Sequence, residues 1–324
     1  MIIEMRSTTL IAALAAGMLF SPATAQEFPT KPIRVLTATS AGGTSDIFMR
    51  VLGDEIQKRW GQPLIVENRP GGSMNIGGKA CADAPNDGYT ICILPVETLV
   101  YNQFVFKSLP FNPERDFEPI TNPFFNTQAL VVSTALGVSS LDELAALSKA
   151  KAGTLSYTVP SVALQVFMED WKKRTGADMV RVPFKGGGDA VNGLLTGSTP
   201  AAFFGLGNFL PHIESGKVKV LAVDGDQRSP LIPGVPTLRE LGYTGNLTRV
   251  YFGIVAPAGT PKSIIARLAS EFAKIGADRT FRQKRLIEAA LEPIFDTPDA
   301  FGQFLKNDRI ASERLVREAG AEPH

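Results

Sequence analysis

The chain has 324 residues, 44% of them apolar, with 33 Lys and Arg against 32 Asp and Glu for a net charge of +1. That length suits about two domains, and the charge balance supplies no cationic surplus for gripping a polyanion, which argues against nucleic-acid binding. Two histidines, His212 and His324, and two cysteines, Cys81 and Cys92, are too few for a multi-ligand zinc centre, so neither a metal nor a cofactor is expected.

The N-terminus reads as an address. Residues 10–20 form an apolar run of 11, too short for the roughly 20 residues that span a bilayer. It is preceded by Arg6 and followed by the small-x-small signature Ala23-Thr-Ala25, so a signal peptide over 1–25, cleaved after Ala25, is expected. Export to the periplasm follows, and with it a compartment that permits disulfides. Cys81 and Cys92 flank the turn Pro85-Asn-Asp-Gly88. Both a bridge across that turn and a pair of buried free thiols fit this pattern.

Downstream, Ile33 to Thr37 reads as a strand that breaks at Ser40-Ala-Gly-Gly43. Ile47, Val51, Leu52 and Ile56 then recur at helical spacing, with Gly61 placed to cap the helix end. Leu64 to Val66 reads as a strand, 76–84 as a helix and 89–94 as a strand. The same grammar restarts at Ala129, where Ser140 and Glu143 form a capping pair for a helix reaching about Lys151. Strands are expected over 154–158, 179–183, 201–204 and 218–223, with helices over 162–174, 190–195 and 209–215. A strand over 251–257 and helices over 262–275, 279–289 and 298–319 close the chain. Alternating strands and helices imply an α/β fold, each lobe a mostly parallel sheet flanked by helices. With no long linker, two lobes hinged near 126–129 and 247–250 would hold a ligand in the cleft between them.

Two glycine-rich loops each follow a strand and open a helix: Ser40-Ala-Gly-Gly-Thr-Ser-Asp46 and Phe184-Lys-Gly-Gly-Gly-Asp189. Free amides and the dipole at a helix start favour an anion, and Lys185 would add a mobile charge beside Gly186. Neither loop is a Rossmann or P-loop fingerprint, and Thr44, Ser45 or Asp46 could equally serve as a plain cap. No Gly-x-Ser-x-Gly elbow exists, and His212 alone would have to serve a hydrolytic triad. Aromatic residues cluster at Phe124-Phe125, Phe203-Phe204, Phe209 and Tyr251-Phe252; most are expected in the core, and any that face the cleft would suit a ring-bearing ligand.

A series of strings carries a resemblance along nearly the whole chain. They are Phe28-Pro-Thr-Lys-Pro-Ile-Arg34, Ala41-Gly-Gly-Thr-Ser-Asp46, Gly61-Gln-Pro-Leu-Ile-Val-Glu-Asn-Arg-Pro-Gly-Gly72, Pro85-Asn-Asp-Gly-Tyr-Thr90, Leu109-Pro-Phe-Asn-Pro113, Val182-Pro-Phe-Lys-Gly-Gly187, Gly234-Val-Pro-Thr237 and Ala256-Pro-Ala-Gly-Thr-Pro261. The chain resembles the Bug family, the extracytoplasmic solute receptors of tripartite tricarboxylate transporters. The resemblance implies a two-lobed periplasmic binding protein of type II-like architecture, with lobe 1 at 26–128 plus 250–324 and lobe 2 at 129–249. It implies a monomer, not an enzyme, that captures a small carboxylate, aromatic or dicarboxylate, and delivers it to integral-membrane permease subunits.

The first binding loop maps onto Ser40 to Asp46 and the second onto Thr158 to Ala163, and the residues expected to touch the ligand are Thr39, Ser40, Ala41, Gly42, Gly43, Thr44, Ser45 and Asp46 at the first and Pro160, Ser161, Val162 and Ala163 at the second. Lys185, Gly186 and Gly205 complete the expected site. The second loop is shorter than the family pattern and glycine-free, and Pro160 lacks an amide donor. Gly205 stands where the family carries a polar side chain. Both departures favour a larger or more apolar ligand. The alternatives are a ligand-sensing subunit of a receptor kinase and an exported α/β hydrolase.

Overall fold

The computed structural model describes residues 28–184, 187–244 and 249–318. In the first lobe, β1 (Ile33–Thr37), β2 (Leu64–Asn68) and β3 (Thr90–Pro95) alternate with helices α1 (Thr44–Trp60) and α2 (Asn75–Ala82). A π-helical turn (Glu97–Tyr101) runs into the short helix α3 (Asn102–Val105), and strands β4 (Phe117–Thr121) and β5 (Phe124–Asn126) follow. The chain crosses at Thr127 into a second sheet. That lobe holds β6 (Gln128–Ser133), α4 (Leu141–Ala150), β7 (Ser156–Thr158), α5 (Val162–Thr175), β8 (Val180–Arg181) and α6 (Gly187–Thr196), then β9 (Ala201–Gly205), α7 (Leu210–Glu214) and β10 (Val218–Val223). The return brings β11 (Val250–Pro257), α8 (Lys262–Ala277), α9 (Arg279–Phe281), a second π-helical turn (Arg282–Leu286), β12 (Leu291–Pro293) and α10 (Pro298–Glu318) back to the first lobe.

Local signals set many of these boundaries. Gly61 ends α1 in the left-handed region at φ 68°, its amide on the Gln57 carbonyl. Ser140 Oγ accepts from the Glu143 amide at 3.1 Å, while the Glu143 carboxylate takes the Ser139 amide at 2.6 Å. The expected helix over 279–289 is instead broken into α9, the π turn and a 3₁₀ turn, Ile287–Ala289.

The two-lobed α/β architecture holds, but both sheets are mixed rather than mostly parallel. The first runs β12-β5-β11-β3-β1-β2, with β4 also against β11; the second runs β10-β6-β9-β7-β8. Among the described strands, parallel pairing is confined to β1 with β2 and β3 and to β7 with β8 and β9, apart from a single parallel bridge between Val223 and Thr237. The physical reason is connectivity. Strand β11 re-enters the first sheet from the other lobe, so no crossover helix forces it parallel, and it lies antiparallel to β3, β4 and β5.

Both faces of each sheet are covered. Ile33, Val35, Ile91 and Ile93 pack on one side with Phe48, Met49 and Phe272, while Leu36, Cys92 and Leu94 pack on the other with Tyr251 and Phe301. Two buried faces explain why these strands read as continuous apolar runs. The question left open for the cysteines is answered: Cys81 and Cys92 form a disulfide that ties α2 to β3, and both are fully buried. Among the described residues no helix is long and apolar enough to cross a membrane.

Candidate functional site

A cavity of about 890 Å³ lies between the lobes, within the range of small-molecule sites. From the first lobe it is lined by Thr39, Ser40, Gly42, Gly43 and Thr44; from the second by Pro160, Ser161, Phe184, Gly188 and Gly205. Residues of both expected loops therefore share one space. Lys185 and Gly186 lie outside the described residues, although Phe184 and Gly188 on either side of them reach the cavity.

The first loop is braced from behind. Thr37 Oγ1, Thr39 Oγ1 and Ser45 Oγ form a hydroxyl triangle with distances of 2.6 to 3.2 Å, and Asn68 Nδ2 donates to the Thr39 carbonyl at 3.0 Å. Asp46 is 3% exposed; its carboxylate accepts from the Gly42 amide at 2.9 Å and pairs with Arg50 at 2.9 Å. The Arg50 guanidinium holds that carboxyl below its ordinary range. Asp46 and Ser45 thus buttress the loop, and neither lines the cavity.

What the loop offers is backbone. Gly43 is the N-cap of α1 and has no side chain to satisfy the first turn. Its own amide donates to the Ser40 carbonyl at 3.1 Å, and the Ile47 amide to the Gly43 carbonyl at 3.0 Å. The amides of Thr44, Ser45 and Asp46 have no partner among the described residues. At α5 the Ser161 Oγ accepts from the Leu164 amide at 3.4 Å, and the amides of Val162 and Ala163 are likewise unpartnered there. Their side chains point elsewhere: Ala163 is buried in the first lobe's core and Val162 packs against it. Helices α1, α5 and α6 all begin at the cavity wall, bringing three positive dipole ends to one space.

Several wall residues were not legible as site residues. Asn126 and Asn208 stand beside Gly205, and their amide groups would lie 3.1 to 3.4 Å from a Cβ placed there. They supply polarity at the point where Gly205 removes it. Ile47, 54% exposed, belongs to the helical apolar pattern yet turns to the cavity rather than the core, and Val51, which packs against the core, lines the cavity as well. The aromatic doublets divide: Phe204 and Phe252 line the cavity with Phe48 and Phe184, whereas Phe203 and Tyr251 are buried. Lys284 and Arg285, from the second π turn, and Glu97, from the first, complete the charged lining. His212 does not line it.

The profile of the tripartite tricarboxylate transporter family receptor matches residues 48–321. The chain belongs to that family. It is 31% identical to the protein BugT of Bordetella pertussis over 98% of this chain and 99% of that one. A solved R. palustris protein with adipate superposes with a TM-score of 0.84 at 27% identity, covering 92% of this chain and 100% of the other. MatC from Rhodopseudomonas palustris, with bound malate, gives 0.77 at 26%, covering 89% and 100%.

Proposed function

We propose that this receptor is a periplasmic solute-binding protein that captures a small carboxylate between its lobes and presents it to the membrane subunits of a tripartite transporter. One observation carries the reading: the starts of α1 and α5, each with unpartnered amides, meet a single interlobe cavity, at Thr44 and at Ser161. Each charge-assisted hydrogen bond to a desolvated anion is worth roughly 1.5 to 3 kcal/mol. The adipate and malate held by two structural relatives support the ligand class.

The contacts assigned are the Thr44 amide at the start of α1 and the amides that follow Ser161 at the start of α5, those of Val162 and Ala163, with Thr39, Ser40 and Pro160 shaping the wall. Asp46 acts as a brace. Phe48, Phe184, Phe204 and Phe252 favour a carboxylate with an apolar or aromatic body. We take 26–128 plus 250–324 as one lobe and 129–249 as the other; the strand content of the two sheets supports this division, with the crossing one residue earlier, since β6 begins at Gln128. Cleavage after Ala25, a monomeric state and a binding rather than catalytic role belong to the same reading.

Isothermal titration against benzoate, adipate, succinate and L-malate tests it. Binding of at least one with compaction in small-angle scattering is expected; no binding by any carboxylate would overturn the reading.

A further inference from the structure

Glu97 is the one acidic side chain on the cavity wall among the described residues, and it sits where an anion is to bind. It opens a π-helical turn, a rare geometry that reorients side chains at functional sites. The turn is anchored from beneath: Thr98 Oγ1 donates to the Met74 carbonyl at 3.4 Å, and Asn102 Nδ2 donates to the Ser73 carbonyl at 2.9 Å. Beyond its own backbone amide, the Glu97 carboxyl has no partner among the described residues.

The elements packed around the turn bring no charge to bear on it. Strand β3, the 3₁₀ turn Gly72–Met74, α3 and the first two turns of α5 contain no ionisable side chain. Helix α10 contributes Asp308, bonded to the Tyr251 hydroxyl, and Arg309, bonded to the Leu99 and Pro113 carbonyls. Its remaining charged side chains with described surroundings are exposed. Lys284 and Arg285 share the cavity wall, exposed and without a partner among the described residues.

A carboxylate in an anion site repels its ligand, and closure removes the water that screens the two charges. Two escapes exist: the ligand brings a cation to Glu97, or Glu97 takes a proton. Glu97 is half-buried in the wall, and that burial pushes its carboxyl up to about 7, so at neutral pH the second escape is the smaller step. We propose that Glu97 contacts the ligand as the neutral acid, donating its O–H to an oxygen of the bound carboxylate, so that capture of the anion takes one proton from solvent. The proposal rests on the carboxylate reading and adds to it a specificity-determining residue and a proton linkage.

The test is titration of wild type and Glu97→Gln with benzoate, adipate, succinate and L-malate from pH 6 to 9, in phosphate and in Tris, whose ionisation heats differ. For a probe that binds, wild-type affinity should fall toward tenfold per pH unit above pH 7.5, with uptake approaching one proton per ligand at pH 8. In Glu97→Gln, whose amide donates without a proton, affinity at pH 8 should equal or exceed wild type and uptake should vanish. That comparison separates Glu97 from Asp224 and Asp308, which burial also raises, to about 7 and about 6. Carbon-13 NMR of the wild-type Glu97 carboxyl, independent of how the variant folds, should show the neutral acid on ligand addition at pH 8. Binding with pH-independent affinity, no uptake and an ionised Glu97 overturns the proposal and leaves the carboxylate reading standing. Preference for an amine-bearing probe such as 4-aminobutyrate, lost in Glu97→Gln, overturns it in favour of a ligand cation. No binding by any carboxylate at pH 6 overturns the underlying reading as well.

Discussion

Asp224 holds the backbone of Gln128 at both of its polar groups: its Oδ1 accepts from the Gln128 amide at 2.8 Å, and its own amide donates to the Gln128 carbonyl at 3.0 Å. Gln128 is the first residue after the chain crosses at Thr127, and its side chain returns to the Asn126 carbonyl at 2.9 Å. One buried aspartate at the end of β10 therefore pins the crossing, and Asn126 and Gln128 both line the cavity.

Removing that clasp should loosen the crossing. Asp224→Ala leaves the buried Gln128 amide without its acceptor, a loss of about 1–3 kcal/mol. A drop of several degrees in Tm is expected, with a smaller drop in Asp224→Asn, which keeps an acceptor oxygen. Equal loss in the two variants would show that Asp224 acts through its charge and not through this bond.

The amides of α1 can be removed one at a time. Thr44 is the first helical residue, where proline is tolerated because its amide has no intrahelical role. Gly43 before it already has φ −73° and ψ 163°, the conformation that a following proline demands. Thr44→Pro should weaken binding of a responsive carboxylate about tenfold or more with little change in Tm, while Thr44→Ala should bind nearly as wild type. Gly43→Pro is a poorer probe, because that amide is spent on the Ser40 carbonyl. Titration calorimetry of the pair decides; unchanged affinity in Thr44→Pro would remove α1 from the site.

Why some of this was readable in advance and some was not comes down to range. Strand β1, the Gly61 cap and the Ser140–Glu143 pair depend on neighbours a few residues away, and each appears where the pattern places it. The glycine loops at Gly42 and around Gly188 declare themselves by the same local chemistry. Glu97 does not: Val-Glu-Thr-Leu-Val reads as more apolar chain after β3, and only a π turn against Met74 and Ser73 aims it into the cavity. Arg285 is hidden likewise, since an unbroken helix over 279–289 would have placed it differently. Phe203 and Phe204 differ only in strand face, which depends on β9 joining β6 and β7. The antiparallel β11 is a property of the whole path.

Lys284 and Arg285 stand at the rim in water, where a single cation contributes little and is screened by salt. Arg285→Ala should weaken binding about two- to fivefold at low ionic strength, with the difference gone at about 0.5 M salt. A salt-independent loss would mean that Arg285 contacts the bound anion directly in a closed, dry site.

Glu97 makes a second prediction, in the absence of any ligand. Its folded carboxyl is raised from 4.5 to about 7 by burial, so the folded state holds the proton more tightly than the unfolded chain. Its contribution to stability is then fullest below pH 4.5 and declines as pH rises toward 7. Glu97→Gln removes that decline, so its Tm should match wild type near pH 4.5 and exceed it by a few degrees at pH 8. The reverse order at pH 8 would mean that the ionised carboxylate has a stabilising partner.

The Cys81–Cys92 bridge supplies the last test. Closing a loop over a separation of 11 residues restricts the unfolded chain by about 3 kcal/mol in the chain-entropy model. Both cysteines are fully buried between α2 and the sheet, and neither lines the cavity. The double variant Cys81→Ala, Cys92→Ala should therefore melt about 5–10 °C lower while keeping carboxylate affinity at temperatures where it remains folded. Thiol titration of the unfolded, unreduced protein should find no free thiol, and a result of two would show that the oxidised pair is not the form the cell makes.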